Sequence, residues 1–388
     1  MYLLAGFAAS LGSVRGDENG HTALDRQMMR RCVELAKRAA GKTRPNPVVG
    51  CVVVNDKGLV VGEGFHEKAG GPHAEVVALK YAGIHSVGAK AYVSLEPCNH
   101  FGRTPPCVDA LLKAGIGEVF VGMVDPDPRT AGKGVARLRE NGVKVRVGIE
   151  EELCQSANEG FSYRIRNKVP LGTWKYAMTL DGKIASDTGS SRWVSGEASR
   201  SIVQRVRSES DAIIVGGNTV RVDDPRLTVR DHRPDGLQPI RVVMTSTMDL
   251  PKNARLWDIS HARTVVYTEV SAAESKPKLY DHLVKCGVEV VLREKMCPRS
   301  VMEHLHGEGA MNVLWECGGR LAAEAMRDGC IQNVIAFLAP KLIGGMEHSP
   351  LSNFGLQDMS KALNVCDLRF EQAGKDFVFY GRVEETTS

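Results

Sequence analysis

No apolar run in this 388-residue chain approaches the roughly 18 residues needed to span a bilayer, so no membrane-crossing segment is expected. No block of Lys and Arg is interleaved with aromatics, and the formal charge is only +4. The electrostatic footprint of a nucleic-acid surface is therefore missing, while an anionic small substrate suits the mild positive balance. Cysteine is not organised into a disulfide framework. The ten cysteines are scattered, and Cys32, Cys51, Cys286 and Cys330 sit in apolar contexts, the usage of a reducing compartment. The Gly-x-Gly-x-x-Gly fingerprint is absent, so a standard dinucleotide fold is not indicated. There is no internal repeat and no low-complexity segment. Met1 to Leu11 is apolar but lacks a basic leader, and it is not Arg/Ser-rich like a transit peptide. Residues 1–24 are expected to be an unstructured lead-in or a trimmed targeting remnant.

What is present reads as a globular protein of two domains: 43% hydrophobic and 25% charged residues in a chain too long for one ordinary domain. Asp25 to Ala40 carries Met28, Cys32, Leu35, Ala36 and Ala39 at helical spacing, with Asp25 placed to cap the start. Pro45-Asn46-Pro47 breaks that helix. Val48 to Val54 predicts a buried strand, Asp56-Lys57-Gly58 a turn and Leu59 to Phe65 the return strand. Helices at Glu75–Tyr81, Cys107–Ala114 and Gly134–Asn141 then alternate with strands at Ala91–Leu95, Glu118–Met123 and Val143–Val147. This alternation predicts a layered α/β domain with a largely parallel sheet. Glu150 to Pro170 reads as a connection, with a boundary near 165–170. Beyond it, strands are expected at Trp174–Thr179, Ala212–Val215, Ile240–Met244, Thr264–Tyr267, Val288–Leu292, Val313–Trp315 and Val334–Leu338. Helices are expected at Gly196–Arg207, Lys276–Cys286 and Leu321–Arg327, with Asp376–Val383 closing the sheet as an edge strand.

The strongest chemical signal is His73-Ala74-Glu75, followed by Pro97-Cys98 and Cys107. Hydrolytic deamination at neutral pH needs a nucleophilic hydroxide. A zinc ion with three protein ligands and one open position supplies it. One imidazole and two thiolates make such a site. A glutamate two residues after the histidine, Glu75, is placed to shuttle protons from water to the ring nitrogen and the leaving amine. The spacing departs from the general Pro-Cys-x-x-Cys pattern, since eight residues separate Cys98 from Cys107. A purely structural zinc site would want a fourth ligand, for which His100 is a candidate.

The second half offers glycine turns after strands: Val215-Gly216-Gly217-Asn218-Thr219 and Glu316-Cys317-Gly318-Gly319. Small residues at a strand-to-helix turn let backbone amides approach a phosphate closely. Lys175, Arg207 and Arg230 are cations able to face an anionic substrate, though each alone reads more readily as a surface charge.

Pro45-Asn46-Pro47, Val49-Gly50-Cys51, His73-Ala74-Glu75, Glu96-Pro97-Cys98 and Gly102-Arg103-Thr104-Pro105-Pro106-Cys107 together resemble the bifunctional riboflavin-biosynthesis deaminase–reductase family. The long insertion between the cysteines separates the chain from tRNA adenosine, cytidine and guanine deaminases. In the second half, Lys175-x-Ala177, Thr179-Leu180-Asp181-Gly182-Lys183, Ser191-x-Trp193-x-Ser195, Asp223-Asp224-Pro225-x-Leu227-Thr228-Val229-Arg230 and Glu316-x-Gly318-Gly319 resemble the reductase half of the same family. The resemblance implies an α/β fold: an N-terminal cytidine-deaminase-like α/β/α layered domain over 25–168 and a C-terminal dihydrofolate-reductase-like domain over 169–388.

It also implies roles. Zn2+ would be held by His73, Cys98 and Cys107, with Glu75 catalytic, and Asn46 and His66 would hold the deaminase substrate. Ala177, Trp193, Ser195, Thr219, Asp223, Gly318 and Gly319 would line an NADPH site. Lys175, Ser191, Arg207, Leu227, Arg230 and Glu316 would hold the reductase substrate. The implied activity is deamination of a diaminopyrimidinone ribosylamino phosphate, followed by NADPH-dependent reduction of its ribosyl group to ribityl. Asp127 stands in Asp125-Pro126-Asp127-Pro128 where the family usually has Asn; it either touches substrate or caps a turn. In land plants the two steps are split between chains, and the first half here resembles the plant deaminase. A deaminase with a silent reductase-like domain is therefore an alternative, as are a nucleic-acid deaminase and a non-catalytic, zinc-stabilised binding protein. Partners are expected to be a phosphorylated pyrimidine and further copies of the chain through the reductase half, with no nucleic acid and no membrane. The expected location is soluble and intracellular: plastid stroma in a photosynthetic eukaryote, cytoplasm otherwise.

Overall fold

The structure, a computed structural model, describes residues 20–102, 105–230 and 237–384. Most of the expected lead-in, and Arg103 and Thr104 of the cysteine insertion, lie outside the described residues. The chain divides into two compact units, one ending at Glu159 and the other beginning at Gly160.

The first unit runs α1 (Ala23–Lys37), β1 (Gly50–Val54), β2 (Val60–Phe65), α2 (Ala74–Ala82), β3 (Lys90–Leu95), α3 (Cys107–Lys113), β4 (Glu118–Met123), α4 (Lys133–Glu140), β5 (Lys144–Val147) and α5 (Glu151–Ala157). Its sheet has the order β2-β1-β3-β4-β5. The pairs β3–β4 and β4–β5 are parallel, but β1 runs antiparallel to both β2 and β3. The sheet is thus mixed, because a tight turn after β1 permits only an antiparallel return. Two apolar clusters lie on its two faces. One is built on α2, α3 and α4, with Ala78, Leu111 and Leu138. The other is built on α1, with Met29, Cys32 and Tyr92. The start of α2 is pressed onto β2: a Cβ on Gly64 would meet the Ala74 carbonyl at 2.5 Å. Close backbone approach of this kind requires glycine.

Two local expectations change. Thr22, not Asp25, is the N-cap of α1. Its hydroxyl accepts from the Asp25 amide while the Asp25 carboxylate accepts from the Thr22 amide, a reciprocal capping box. The expected connection from 150 to 170 is largely helical, containing α5 and then α6 (Glu159–Asn167). Glu151 and Glu152 fall in the first turn of α5, where negative charge complements the helix dipole.

The second unit continues with β6 (Leu171–Thr179), α7 (Glu197–Glu209), β7 (Ala212–Gly216), α8 (Gly217–Asp223), β8 (Ile240–Thr245), β9 (Thr264–Glu269), α9 (Val270–Ser275), α10 (Pro277–Lys285), β10 (Glu289–Arg293), α11 (Pro298–Gly307), β11 (Asn312–Trp315), α12 (Gly319–Arg327), β12 (Asn333–Ala339), β13 (Val365–Ala373) and β14 (Asp376–Val383). The nine strands follow the order β10-β9-β8-β7-β11-β6-β12-β14-β13, parallel throughout except for the last two pairings. β14 is therefore internal, and the edge is β13, which the sequence reading missed. Its burial pattern is almost wholly exposed, so no alternation marked it. β7, β8 and β11 are flanked by apolar clusters on both faces, with Trp315 on one and Leu314 on the other, the usual reason that parallel strands read as continuous apolar runs.

Candidate functional site

In the first unit the site forms where two helices begin. His73 is the N-cap of α2, Glu75 lies in its first turn, Cys107 is the first residue of α3, and Cys98 follows the end of β3. The His73 Nδ1 lies 3.1 Å from the Cys107 Sγ and 3.5 Å from the Cys98 Sγ. One ligand atom from each of the three lies within 4.8 Å of the others. A nitrogen and two sulfurs converging on one point fit a tetrahedral zinc with its fourth position open. A hydrogen bond from the Cys107 thiol, and then the His73 ring, lower the pKa of the Cys98 thiol despite its burial, the direction that favours the metal-binding thiolate. His100 is exposed and outside this group. A second group, Glu289, His304 and Glu308, is equally compact, but Arg263 donates to both of its carboxylates and supplies the positive charge there.

Glu75 is buried beside the cluster. Burial, and then the negative charge of Cys98, push its carboxyl up to about 7, the range suited to giving and taking protons at neutral pH. His66 closes another side, with its ring edge-on to that of His73 at 5.4 Å between centroids. Its Nδ1 lies 3.0 Å from the Pro72 carbonyl, which only accepts, so the proton sits on Nδ1. Nε2 then accepts from the Asn46 amide at 3.1 Å. Burial lowers the pKa of this imidazole, which disfavours its charged form. Asp127 is held in a turn: its carboxylate accepts from the Arg129 amide at 2.9 Å and pairs with the Arg129 guanidinium.

In the second unit, Lys175, Arg207 and Glu316 are brought together. Trp315 of β11 is level with Trp174 of β6, so Glu316 and Lys175 lie side by side at the next step along the sheet. The Glu316 carboxylate accepts from Arg207 through two oxygens at 2.6 and 2.9 Å and lies 3.6 Å from the Lys175 Nζ. Burial alone would raise the pKa of this carboxyl, but Arg207 and Lys175 outweigh it and hold it at about 2. A second cluster joins Ser191 to Asp223, with the Ser191 hydroxyl donating at 3.1 Å. Trp193 is exposed, with the Arg200 guanidinium 4.6 Å from its ring centre. Ser195 accepts an Arg200 hydrogen bond at its carbonyl. Thr219 lies on α8, and Ala177 is half-buried on β6. Gly318 is the N-cap of α12, and a Cβ there would meet nothing within 4 Å, which leaves this helix N-terminus open to a phosphate. Gly319 is packed against backbone: a Cβ would meet the Ser349 carbonyl at 2.8 Å.

Two expected substrate residues behave differently from that cluster. Leu227 is 1% exposed and packs in the core with Ile213 and Val243, so only its backbone is available to a ligand. The segment that carries it is strained, with positive φ at Asp224 (41°) and Leu227 (52°). Arg230 is exposed, and its backbone amide donates to Gln204. One organising residue went unnoticed in the sequence. Asp376, at the start of β14, accepts from the Gly196 amide and the Ser199 hydroxyl, both at 2.6 Å, and so caps α7 just after the Ser191–Ser195 segment. Only its acidic type, far along the chain, was visible.

Residues 22–123 match the cytidine and deoxycytidylate deaminase zinc-binding region, and residues 170–379 match the RibD C-terminal domain. The chain is 50% identical to the riboflavin biosynthesis protein RibD of Synechocystis over 92% of this chain and 96% of that protein. It is 42% identical to the chloroplastic riboflavin biosynthesis protein PYRR of Arabidopsis thaliana, over 96% of this chain and 63% of that one. Among solved structures, RibD of Acinetobacter baumannii superimposes with a TM-score of 0.83 at 36% identity, covering 93% of this chain and 99% of that one. With a zinc-binding deaminase unit and a RibD-type reductase unit in the same order as these relatives, the chain belongs to the bifunctional riboflavin-biosynthesis deaminase–reductase family.

Proposed function

We propose that the chain performs two consecutive steps of riboflavin synthesis: hydrolytic deamination of a diaminopyrimidinone ribosylamino phosphate, then NADPH-dependent reduction of the ribosyl group to ribityl. The observation that carries this reading is the convergence of His73, Cys98 and Cys107 beside a buried Glu75, on a chain that also assembles the Lys175–Glu316–Arg207 cluster.

In the first step, His73, Cys98 and Cys107 would hold zinc, which when bound supplies the Lewis acidity that makes water nucleophilic at neutral pH. Glu75 takes one proton from the attacking water and passes it to the ring nitrogen, then takes the remaining proton of the added hydroxyl and passes it to the departing amine. The carbon–oxygen bond forms, the exocyclic carbon–nitrogen bond breaks, and ammonia leaves. Asn46 and His66 orient the base and its ribose-phosphate side. The fixed tautomer of His66 commits its Nε2 to accepting, which turns the Asn46 amide into a defined arm.

In the second step, Ala177, Trp193, Ser195, Thr219, Asp223, Gly318 and Gly319 would hold NADPH, which supplies the hydride. Lys175, Ser191, Arg207, Arg230 and Glu316 orient the ribosyl phosphate, with Leu227 contributing through its backbone. The ribosyl ring opens, C1 receives the hydride, and the former ring oxygen takes a proton to become a hydroxyl. Self-association through this unit is part of the reading. It is supported by the edge strand β13, which exposes Leu368 and Phe370 at 67% and 73% and offers unpaired backbone to a second copy. The compartment is the plastid stroma in a photosynthetic eukaryote and the cytoplasm otherwise; the chloroplastic name of the Arabidopsis relative supports the first. No helix of the described residues is long and apolar enough to cross a membrane.

The test follows ammonia release and NADPH oxidation by the purified chain supplied with the diaminopyrimidinone phosphate. Both signals in sequence are expected. Ammonia without NADPH consumption would mean a silent second unit, and neither signal would overturn the reading.

A further inference from the structure

A short Cys-x-x-Cys pair is held at its separation by one turn of backbone. Here eight residues intervene between Cys98 and Cys107, and the two arms leave different elements, the end of β3 and the start of α3. Besides the thiol contact, two long hydrogen bonds join them directly: the Cys107 amide donates to the Cys98 Sγ, and the Val108 amide to the Cys98 carbonyl, each at 3.3 Å.

The arms are also joined from α4. Arg137 forks its guanidinium across them, donating from Nη1 to the Asn99 side-chain Oδ1 at 2.7 Å and from Nη2 to the Asp109 carboxylate at 2.5 Å. Asn99 directly follows Cys98, and Asp109 lies two residues beyond Cys107. Asn99 also donates to the Lys133 carbonyl at the start of α4, at 3.4 Å. The helix is itself fastened to the segment that delivers Cys98. Glu96 is 3% exposed, and its carboxylate accepts from the amides of Asp125, Gly132, Gly134 and Val135 at 2.9 to 3.2 Å. Three of those amides belong to the N-cap and first turn of α4, which has no side-chain cap of its own. The approach is tight: a Cβ on Gly134 would lie 2.1 Å from the Pro97 carbonyl. The result is a closed strap, from β3 through Glu96 to α4, and from α4 through Arg137 back to both cysteine arms.

We propose that Arg137, anchored through Glu96, is a positioning residue that sets the Cys98–Cys107 separation and so governs how long a metal ion stays on the cluster. The inference rests on the reading of His73, Cys98 and Cys107 as zinc ligands. Arg137 touches neither those ligands nor the proton shuttle Glu75. The Arg137 and Asp109 side chains are each 37% exposed, so the fork is not a core-packing contact whose loss would unfold the unit. Its planar, two-pronged donor geometry is what reaches both arms at once. A lysine keeps the charge but lacks the fork. Groups that orient metal ligands from outside typically contribute about ten- to a hundred-fold in metal affinity.

The test uses the full-length, zinc-loaded chain and measures the rate of zinc transfer to a chromogenic chelator, with the visible spectrum of the cobalt-substituted protein as a second readout. Melting temperature and NADPH-dependent turnover of the second unit serve as folding controls. Arg137→Ala should speed zinc release by about ten- to a hundred-fold and alter the cobalt bands, with both controls unchanged. Arg137→Lys should lie near Arg137→Ala and well away from the unaltered chain, which separates fork geometry from charge. Should Arg137→Ala lower the melting temperature, Asp109→Asn, which keeps the side-chain shape and weakens one prong, decides by the same readout. Unchanged release and an unchanged cobalt spectrum in a folded Arg137→Ala chain overturn the strap. Failure of the unaltered chain to bind zinc, or binding that survives Cys98→Ser, overturns the underlying metal reading instead.

Discussion

The proposed deaminase site and the proposed reductase site are built on opposite plans. The first draws His73, Glu75, Cys98 and Cys107 from one continuous stretch and places them at the beginnings of two short helices and the end of one strand. The second draws Lys175, Arg207 and Glu316 from three elements far apart in sequence: the parallel register of β6 and β11 brings Lys175 and Glu316 side by side, and Arg207 reaches them from α7. A compact metal cluster has few acceptable geometries, so its residue types and spacing are visible in sequence. A hydride-transfer site needs mainly a shaped, charge-matched surface, which many spacings can supply once a sheet sets the register. Its parts look like ordinary surface cations until the fold pairs them.

That contrast can be tested unit by unit. The largest effect is expected from Glu75→Gln, which removes the proposed proton shuttle and should slow ammonia release by about a hundred- to ten-thousand-fold. NADPH oxidation with the deaminated substrate should be unchanged; a parallel loss would show that the two sites are not independent. Next comes Glu316→Ala, which leaves buried Arg207 without its carboxylate. The second unit should lose about 3 to 5 kcal/mol, read from denaturant unfolding, along with its reductase turnover, while ammonia release persists.

The same carboxylate gives a pH signature. Glu316 is held at about 2, below its ordinary 4.5, so its contribution is fully present above 4.5 and is lost as pH falls toward 2. The loss should be on the order of 3 kcal/mol in the second unit and absent from Glu316→Gln, as unfolding curves at stepped acidic pH would reveal. A smaller effect is expected from Asp376→Ala, which uncaps α7. It should cost about 1 kcal/mol and raise the KM for NADPH without abolishing turnover. The smallest is Asp127→Asn: because the carboxylate is committed to the turn and to Arg129, deaminase kinetics should stay within about twofold.

Legibility followed the same division. Most helices and strands of the first unit stood out by apolar periodicity, and its site by motif. The antiparallel setting of β1 did not, because pairing direction depends on which strands become neighbours. Thr22 was overlooked as the cap of α1 because Asp25, an equally good capping type, stands three residues later and completes the box from the other side. β13 was missed because an exposed edge strand has no buried face to impose alternation.

The sequence by itself determined the two-domain α/β organisation and the family, and it marked His73, Cys98, Cys107 and Glu75 as the candidate metal cluster and proton shuttle, because local periodicity and metal chemistry both leave marks within short windows. Only the tertiary structure decided that Leu227 turns into the core, that Asp376 caps α7 from 180 residues away, that Glu316 is held ionised by Arg207 and Lys175, and that Arg137 bridges Asn99 and Asp109. Each of these depends on a hydrogen bond, an ion pair or an apolar contact between segments that meet only after the sheets set their register, and no spacing along the chain encodes such a meeting.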